Sequence, residues 1–182
     1  MAIEDLTTGG PLKHISPILV LLTIAAASWA VPLQQAFDQS LPGAGYDRIV
    51  YLDRETPYTG GLELSDGNIC IISSGAVIDL QGSRIMVNSP ATLDICGVAL
   101  ANSDSAALKF NASGYGWVDH VTFCGNYDGL YFWQGSDLKI TSSIFANSAR
   151  YGVYCYNDCE RWMEYNNAWS NTGGDYREFC PS

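Results

Sequence analysis

The sequence predicts an all-β fold in which short parallel strands wind into a solenoid, a parallel β-helix of about five coils. Two observations lead to this prediction. Apolar residues recur at intervals of 22 or 23 residues, and within each repeat they alternate with polar residues. A repeat of this length is typical of stacked units that bury their apolar sides against their neighbours. Alternation with a period of two is typical of β-strands.

Four columns of apolar residues define the repeat, and each column has the successive intervals 23, 22 and 23. The columns are Ile85, Leu108, Leu130 and Val153; Val87, Phe110, Phe132 and Cys155; Ile95, Val118, Ile140 and Met163; and Leu100, Phe123, Phe145 and Ala168. Because all four shorten by one residue at the same step, a coil of fixed circumference is the simplest explanation. Leucine-rich repeats share this length, but they require a helical stretch, and no window of the sequence has a 3.6-residue period.

The run from about residue 49 to residue 176 resembles the right-handed parallel β-helix repeat family, whose fold is shared with pectate lyases. Its most specific pieces are residues 75–82, Gly-Ala-Val-Ile-Asp-Leu-Gln-Gly, and residues 165–176, Tyr-Asn-Asn-Ala-Trp-Ser-Asn-Thr-Gly-Gly-Asp-Tyr. The resemblance implies a right-handed, single-stranded β-helix. It implies little about activity, because this fold occurs in lyases, hydrolases, adhesins and inert scaffolds. The chain lacks the paired-aspartate and Gly-His-Gly patterns of polygalacturonases with this fold, which favours a non-catalytic member of the family.

The chain is predicted to contain four segments. They are a signal peptide at 1–30, a linker or N-terminal cap at 31–48, the β-helix at 49–174 and a C-terminal tail at 175–182. The signal peptide is predicted from an apolar run at 15–27 that follows Lys13 and precedes small residues. An uncleaved membrane anchor is the alternative, although its span, broken by Pro17, is at the short limit of the roughly 17–25 residues that cross a bilayer. Export predicts a secreted or cell-surface protein.

Composition and charge limit the classes of partner. Hydrophobic residues make up 47% of the chain, which excludes a disordered protein. The net charge is −10, and the nine basic residues are spread thinly, so nucleic acid is not expected as a partner. The acidic surface would also repel polyanions such as pectate unless a divalent cation intervened.

Six cysteines in an exported chain permit up to three disulfides. Cys155 falls in an apolar column and is expected to be a buried thiol. The first choice for a disulfide is Cys159 with Cys180, which would tie the tail to the last coil, since bridged residues need Cα atoms within about 7 Å. No second cysteine pair with zinc spacing accompanies Cys155 and Cys159, and both histidines are isolated along the chain, so no metal site is predicted.

The residues beside the apolar columns point outward, and one group of them is aromatic. The group consists of Tyr131, Trp133, Tyr154 and Tyr156. Because stacked strands lie about 4.8 Å apart, these rings are expected to form one continuous patch. Such a patch suits stacking against sugar rings and predicts a polysaccharide ligand. The alternative is that the rings stabilise the sheet or lie under the tail.

A second outward group contains three carboxylates, Asp94, Asp119 and Glu164, with His120 beside Asp119. A glycoside hydrolase needs two carboxylates roughly 5–10 Å apart, which Asp94 and Asp119 on adjacent coils would satisfy. A polysaccharide lyase would need calcium-binding acids beside a base, and Lys139 is the only basic residue in these columns. Solvated charges are the simpler interpretation, so neither an enzyme nor a cofactor is the first prediction, with calcium expected only for a lyase.

The predicted function is therefore that of an exported scaffold that binds polysaccharide. A small carbohydrate-active enzyme, a lyase or a glycoside hydrolase, is one alternative. A structural protein that assembles end to end is the other, because an exposed strand edge invites pairing with a second chain, and a head-to-tail contact builds filaments.

Overall fold

The structure is a computed structural model and describes residues 29–157, 160–177 and 180. In chain order, its elements are β1 (Val31–Pro32), α1 (Leu33–Asp38), β2 (Leu41–Gly43), β3 (Tyr46–Leu52), β4 (Tyr58–Thr59), β5 (Leu62–Leu64), β6 (Asn68–Gly82), β7 (Ile85–Val87), β8 (Thr92–Ser103), β9 (Ala106–Phe110), β10 (Tyr115–Asp119), β11 (Thr122–Cys124), β12 (Asp128–Phe132), β13 (Asp137–Thr141), β14 (Ile144–Ala146), β15 (Tyr151–Cys155), β16 (Glu160–Glu164), β17 (Asn167–Trp169) and β18 (Gly174–Tyr176). Residues 1–28, where the signal peptide or anchor is predicted, lie outside this description. In the described part of the chain, no helix has the length and apolar character needed to cross a membrane.

The strands form a parallel β-solenoid with three faces, because β6 and β8 are long enough to turn a corner and serve two faces each. The first face contains β3, residues 68–73 of β6, residues 92–96 of β8, β10, β13 and β16. The second contains β1, β4, the remaining parts of β6 and β8, β11, β14 and β17. The third contains β5, β7, β9, β12, β15 and β18. The six strands of the third face correspond to about six turns, and β18 carries the solenoid into the segment predicted as the tail.

The register confirms all four apolar columns. In the first column, Ile85 pairs with Leu108, Leu108 with Leu130, and Leu130 with Val153. The single interval of 22 arises at one turn. Leu130 follows Phe123 by seven positions, whereas the corresponding Leu108 follows Leu100 by eight. The solenoid therefore shortens one turn and keeps its strands in register.

Aromatic side chains fill the centre of the solenoid. Phe110, Phe123, Phe132 and Phe145 are all fully buried. Phe123 and Phe145 lie on neighbouring coils and stack with ring centroids 4.7 Å apart and planes 9° apart. Burial of each such side chain contributes about 1.5–3 kcal/mol, so these columns supply much of the driving force for folding.

Four asparagines, Asn102, Asn126, Asn147 and Asn171, occupy corresponding turns in two arrangements. The first and third are exposed and take the left-handed backbone conformation, with φ of 60° and 56°. Asn126 is buried instead, and its amide accepts a hydrogen bond from the Ser103 N–H and donates one to the Leu100 carbonyl, both at 3.0 Å. Asn171 makes the equivalent contacts two coils later. The buried amides thus satisfy backbone groups that the turns leave unpaired.

Residues 31–48, predicted as a linker or an N-terminal cap, contain β1, α1, β2 and the start of β3. Leu33 of α1 is fully buried in the apolar core, and Phe37 packs against that core. The β2–β3 hairpin then leads into the first full coil. It also brings Tyr46 to the outside of the first face, where its hydroxyl reaches Asp94.

Candidate functional site

The outward side of the first face carries two adjacent columns of polar and aromatic side chains. One column is Ile49, Cys70, Asp94, Trp117, Lys139 and Trp162, and the other is Tyr51, Ile72, Cys96, Asp119, Thr141 and Glu164. The structure therefore brings the predicted carboxylates Asp94, Asp119 and Glu164 to one face. The repeat pattern missed Tyr51 and Cys70, because the alternation in the first two coils fits two registers that differ by one residue.

A cleft of about 310 Å³ opens on this face near its N-terminal end. It is lined by Tyr46, Tyr51, Cys70, Asp94, Cys96, Trp117 and Asp119, among others. The aromatic side chains are unusually accessible. Tyr51 is 75% exposed, Trp117 is 41% exposed, and Trp162, beyond the cleft, is 60% exposed.

Asp94 is held in place by two donors. The Tyr46 hydroxyl donates a hydrogen bond to one carboxylate oxygen at 2.5 Å, and the Trp117 backbone N–H donates to the other at 2.9 Å. The hydrogen bond to Asp94, assisted by burial, raises the pKa of Tyr46 to about 12. Tyr46 is therefore a protonated donor at neutral pH and orients the carboxylate. Its contribution was not predicted, because the hairpin that carries it lies outside the repeat.

Asp119 is the centre of a second network. Its Oδ1 accepts a hydrogen bond from the Thr141 hydroxyl at 2.6 Å, while Oδ2 lies 2.8 Å from His120 Nδ1 and 3.9 Å from Cys96 Sγ. The Trp117 indole N–H in turn donates to Thr141 at 2.8 Å. Burial alone would raise the pKa of Asp119, but the hydrogen bonds from Thr141 and His120 outweigh burial and hold it below its ordinary value. Asp119 is therefore a carboxylate at neutral pH.

This arrangement suits ligand binding better than acid–base chemistry. A glycosidase needs one carboxyl group that is kept protonated near neutral pH, and the lowered pKa of Asp119 works against that role. Asp94 is occupied by two donors, and Glu164 is exposed on the last coil. Lys139, the basic residue of these columns, places Nζ 4.6 Å from the Trp117 ring centroid in a cation–π contact.

The predicted aromatic patch also forms, on the third face. Tyr131 and Tyr154 have centroids 4.7 Å apart, and Trp133 and Tyr156 stack at 4.2 Å with planes 19° apart. Burial, the largest effect, raises the pKa of Tyr131 to about 12. Tyr154 is only 6% exposed. Trp133 and Tyr156 contact each other face to face, whereas Tyr131 and Tyr154 are tilted by 54° and the Tyr154 side chain is buried, which favours the alternative that these rings stabilise the sheet.

Two arginines cover part of this patch. The guanidinium of Arg177 lies 4.2 Å from the Tyr154 ring centroid, and that of Arg150 lies 4.7 Å from it. Arg150 is anchored by Asp128, whose side chain is 2% exposed, through a bond from Nε at 2.9 Å and a second contact from Nη2. The hydrogen bond to Asp128 raises the pKa of Arg150, although burial acts in the opposite direction. Arg177 could have been found from the sequence, since it follows Tyr154 by 23 residues.

The cysteines fall in different environments. Cys155 is fully buried, as its column predicts. Cys70, Cys96 and Cys124 are free thiols, the first two on the first face. Cys159 lies outside the described residues, so its predicted disulfide with Cys180 stays a prediction.

Comparison with known proteins agrees with the observed architecture. Residues 54–176 match a family model described as a right handed beta helix region. Searches of curated proteins and of solved structures give no match. The family match covers more than half of the 182 residues and coincides with the solenoid. The chain therefore belongs to the right-handed β-helix family.

Proposed function

We propose that the protein is a carbohydrate-binding scaffold and that a polysaccharide lies along its first face, parallel to the solenoid axis. The observation that carries this proposal is the exposure of Tyr51, Trp117 and Trp162 on the same outward side. Aligned, accessible apolar side chains on a soluble protein are characteristic of a binding surface. Aromatic rings also offer the flat apolar area that the face of a sugar ring needs.

The spacing of these rings indicates an extended ligand. Tyr51 and Trp117 are three coils apart, and Trp117 and Trp162 are two coils apart. Since neighbouring strands lie about 4.8 Å apart, the row extends over about 24 Å. That length suits an oligosaccharide segment rather than a single sugar. Asp94 and Asp119 line the cleft within this row and would accept hydrogen bonds from sugar hydroxyls.

Charge favours a neutral polysaccharide. The chain carries a net charge of −10, and the cleft contains two carboxylates. An acidic polysaccharide would be repelled by this surface, whereas a neutral polysaccharide experiences no electrostatic repulsion from it. We place this binding outside the cell, in keeping with the signal segment predicted for residues 1–30.

The third face is the weaker candidate surface. Tyr154 is nearly buried, and Arg150 and Arg177 lie against it. The rings of Trp133 and Tyr156 stack on each other, so that the facing sides of both rings are occupied. A ligand there would find one side of each of these two rings already occupied.

A glycan array followed by titration calorimetry tests the proposal. Wild-type protein should bind a neutral polysaccharide, and Trp162→Ala and Tyr51→Ala should each weaken binding by about 2- to 10-fold, as expected for the loss of one aromatic contact. Both side chains are largely exposed, so both variants should fold. Trp133→Ala is the matched control on the third face and should bind normally. Loss of binding in Trp133→Ala alone, or no binding by the wild type, would contradict the proposal.

A further inference from the structure

We propose that Cys96, Asp119 and His120 form a binding site for one divalent transition-metal ion of the zinc class. The Cys96 sulfur, an Asp119 carboxylate oxygen and a His120 ring nitrogen all lie within 4.8 Å of one another. A mixed set of sulfur, nitrogen and oxygen donors is one that zinc binds readily. The site does not depend on saccharide binding.

The solenoid register assembles the three ligands. Cys96 on β8 and Asp119 on β10 are direct neighbours across two adjacent coils. His120 follows Asp119 at the turn, where its φ of 51° is uncommon for a residue other than glycine. The His120 Nδ1 atom lies 2.8 Å from Asp119 Oδ2. Cys96 is therefore distant in sequence from Asp119, and His120 is adjacent to it, but all three ligands converge on one point in space.

The present distances are close to those that an ion requires. Zinc binds nitrogen and oxygen at about 2.0–2.2 Å and sulfur at about 2.3 Å, which separates two ligand atoms by roughly 3–4 Å. Cys96 Sγ and His120 Nδ1 already approach the same oxygen of Asp119, at 3.9 Å and 2.8 Å. The side chain of His120 is 66% exposed and free to adjust, so an ion can enter without movement of the strands.

Outer contacts already orient the carboxylate ligand. Thr141 donates to Asp119 Oδ1 at 2.6 Å and leaves Oδ2 directed at Cys96 and His120, while Trp117 donates to Thr141 at 2.8 Å. Partners of this kind fix the orientation of a metal ligand and typically change affinity by about 10- to 100-fold. Three protein ligands leave one position of a tetrahedral ion open.

Ion binding would displace a proton from Cys96. Burial first, and the nearby Asp119 carboxylate second, raise the pKa of the Cys96 thiol. The thiol is therefore protonated at neutral pH in the absence of metal, and coordination of the thiolate releases that proton.

Metal titration of the full chain tests this site. After treatment with a reductant and a chelator, the protein should take up one Zn²⁺ per chain, and Co²⁺ should give the near-ultraviolet absorption of a cobalt thiolate. Cys96→Ser should abolish that absorption, whereas Cys124→Ser, which alters an exposed thiol elsewhere, should retain it. Thr141→Val should retain the absorption but weaken affinity by about 10- to 100-fold.

A variant of His120 provides a second, independent readout. His120→Asn should weaken affinity by at least about 10-fold, and asparagine also tolerates the left-handed turn, so this variant should fold even if Cys96→Ser does not. Cys124→Ser, at the exposed thiol elsewhere in the solenoid, should bind as the wild type does. Absence of Zn²⁺ uptake by the wild type, or equal affinity in His120→Asn and the wild type, would overturn the proposal.

Discussion

The buried ion pair beneath the third face should be the most sensitive electrostatic contact of the described solenoid. Asp128 is 2% exposed and accepts two contacts from Arg150 and one hydrogen bond from the Tyr151 N–H at 3.1 Å. Arg150→Ala leaves this carboxylate buried without its counter-charge. Removal of one partner of a fully buried pair costs about 3–5 kcal/mol. Because the Arg150 side chain is 35% exposed, solvent screening reduces that figure, and we expect about 2–4 kcal/mol.

The two partners should not be equivalent. Asp128→Asn keeps an oxygen that can accept the Tyr151 N–H, and the partly exposed Arg150 can turn to water, so this variant should lose only about 1 kcal/mol. Arg150→Ala should also remove the guanidinium that lies on the Tyr154 ring. The asymmetry distinguishes a desolvated carboxylate from an ordinary surface ion pair.

Thermal unfolding followed by circular dichroism measures both effects. For a chain of this size, 1 kcal/mol corresponds to about 2–4 °C in Tm, so Arg150→Ala should lower Tm by roughly 4–16 °C. Arg54→Ala is the control, since Arg54 and Glu55 form an ion pair whose side chains are 64% and 78% exposed, and such pairs contribute little. If Arg150→Ala changes Tm no more than Arg54→Ala does, the reasoning about the buried pair is wrong.

Three further predictions concern the core, the acidic face and catalysis. Phe123→Ala removes a fully buried ring that stacks on Phe145 and should reduce the free energy of unfolding by about 3–5 kcal/mol in urea titrations. The stability that Asp119 contributes through its lowered pKa should be complete above about pH 4 and lost as the pH falls through its folded value. Thr141→Val should raise that pKa, as measured by carboxyl NMR titration; an unchanged value would show that the Thr141 bond is unimportant. Purified protein should release neither reducing sugars nor unsaturated products from a polysaccharide panel, with or without calcium, and sustained release would establish an enzyme.

The repeat was predictable because its signal is local and redundant. Each coil carries the same inward residues, so columns such as Ile95, Val118, Ile140 and Met163 could be aligned without any knowledge of the turns, and the register matches them. The first coils were harder to align, because their alternation of apolar and polar residues fits two registers that differ by one residue. Tyr51 and Cys70 escaped notice for this reason.

The covering of the outward surfaces was less predictable. The column order correctly stacked Tyr131 on Tyr154, but the order alone does not tell whether a ring is open to solvent. The exposure of the Tyr154 ring depends on Arg150, which is held by a contact with Asp128 on the neighbouring coil. Likewise, Asp94 was placed correctly, yet its donor Tyr46 comes from a hairpin that does not repeat.

The candidate metal site was also not predicted from the sequence, although its ligands were visible there. The columns put Cys96 beside Asp119, and the sequence puts His120 next to Asp119, so all three positions were available without coordinates. No metal site was predicted, because spacing was considered only along the chain. In a solenoid, ligands are brought together at an interval of one coil, here the 23 residues from Cys96 to Asp119.

Trp117 and Asp119 belong to both proposed sites, and this determines which variants can separate the sites. The exposed Trp117 ring forms part of the saccharide surface, while its indole N–H donates to Thr141 and thereby supports Asp119. A change at Trp117 should therefore weaken the binding of both the saccharide and Zn²⁺. Trp162 is two coils away, and the His120 side chain contacts Asp119 at the turn. Weaker saccharide binding in Trp162→Ala with normal Zn²⁺ affinity, and weaker Zn²⁺ binding in His120→Asn with normal saccharide affinity, is the pattern that two separable sites on one face require.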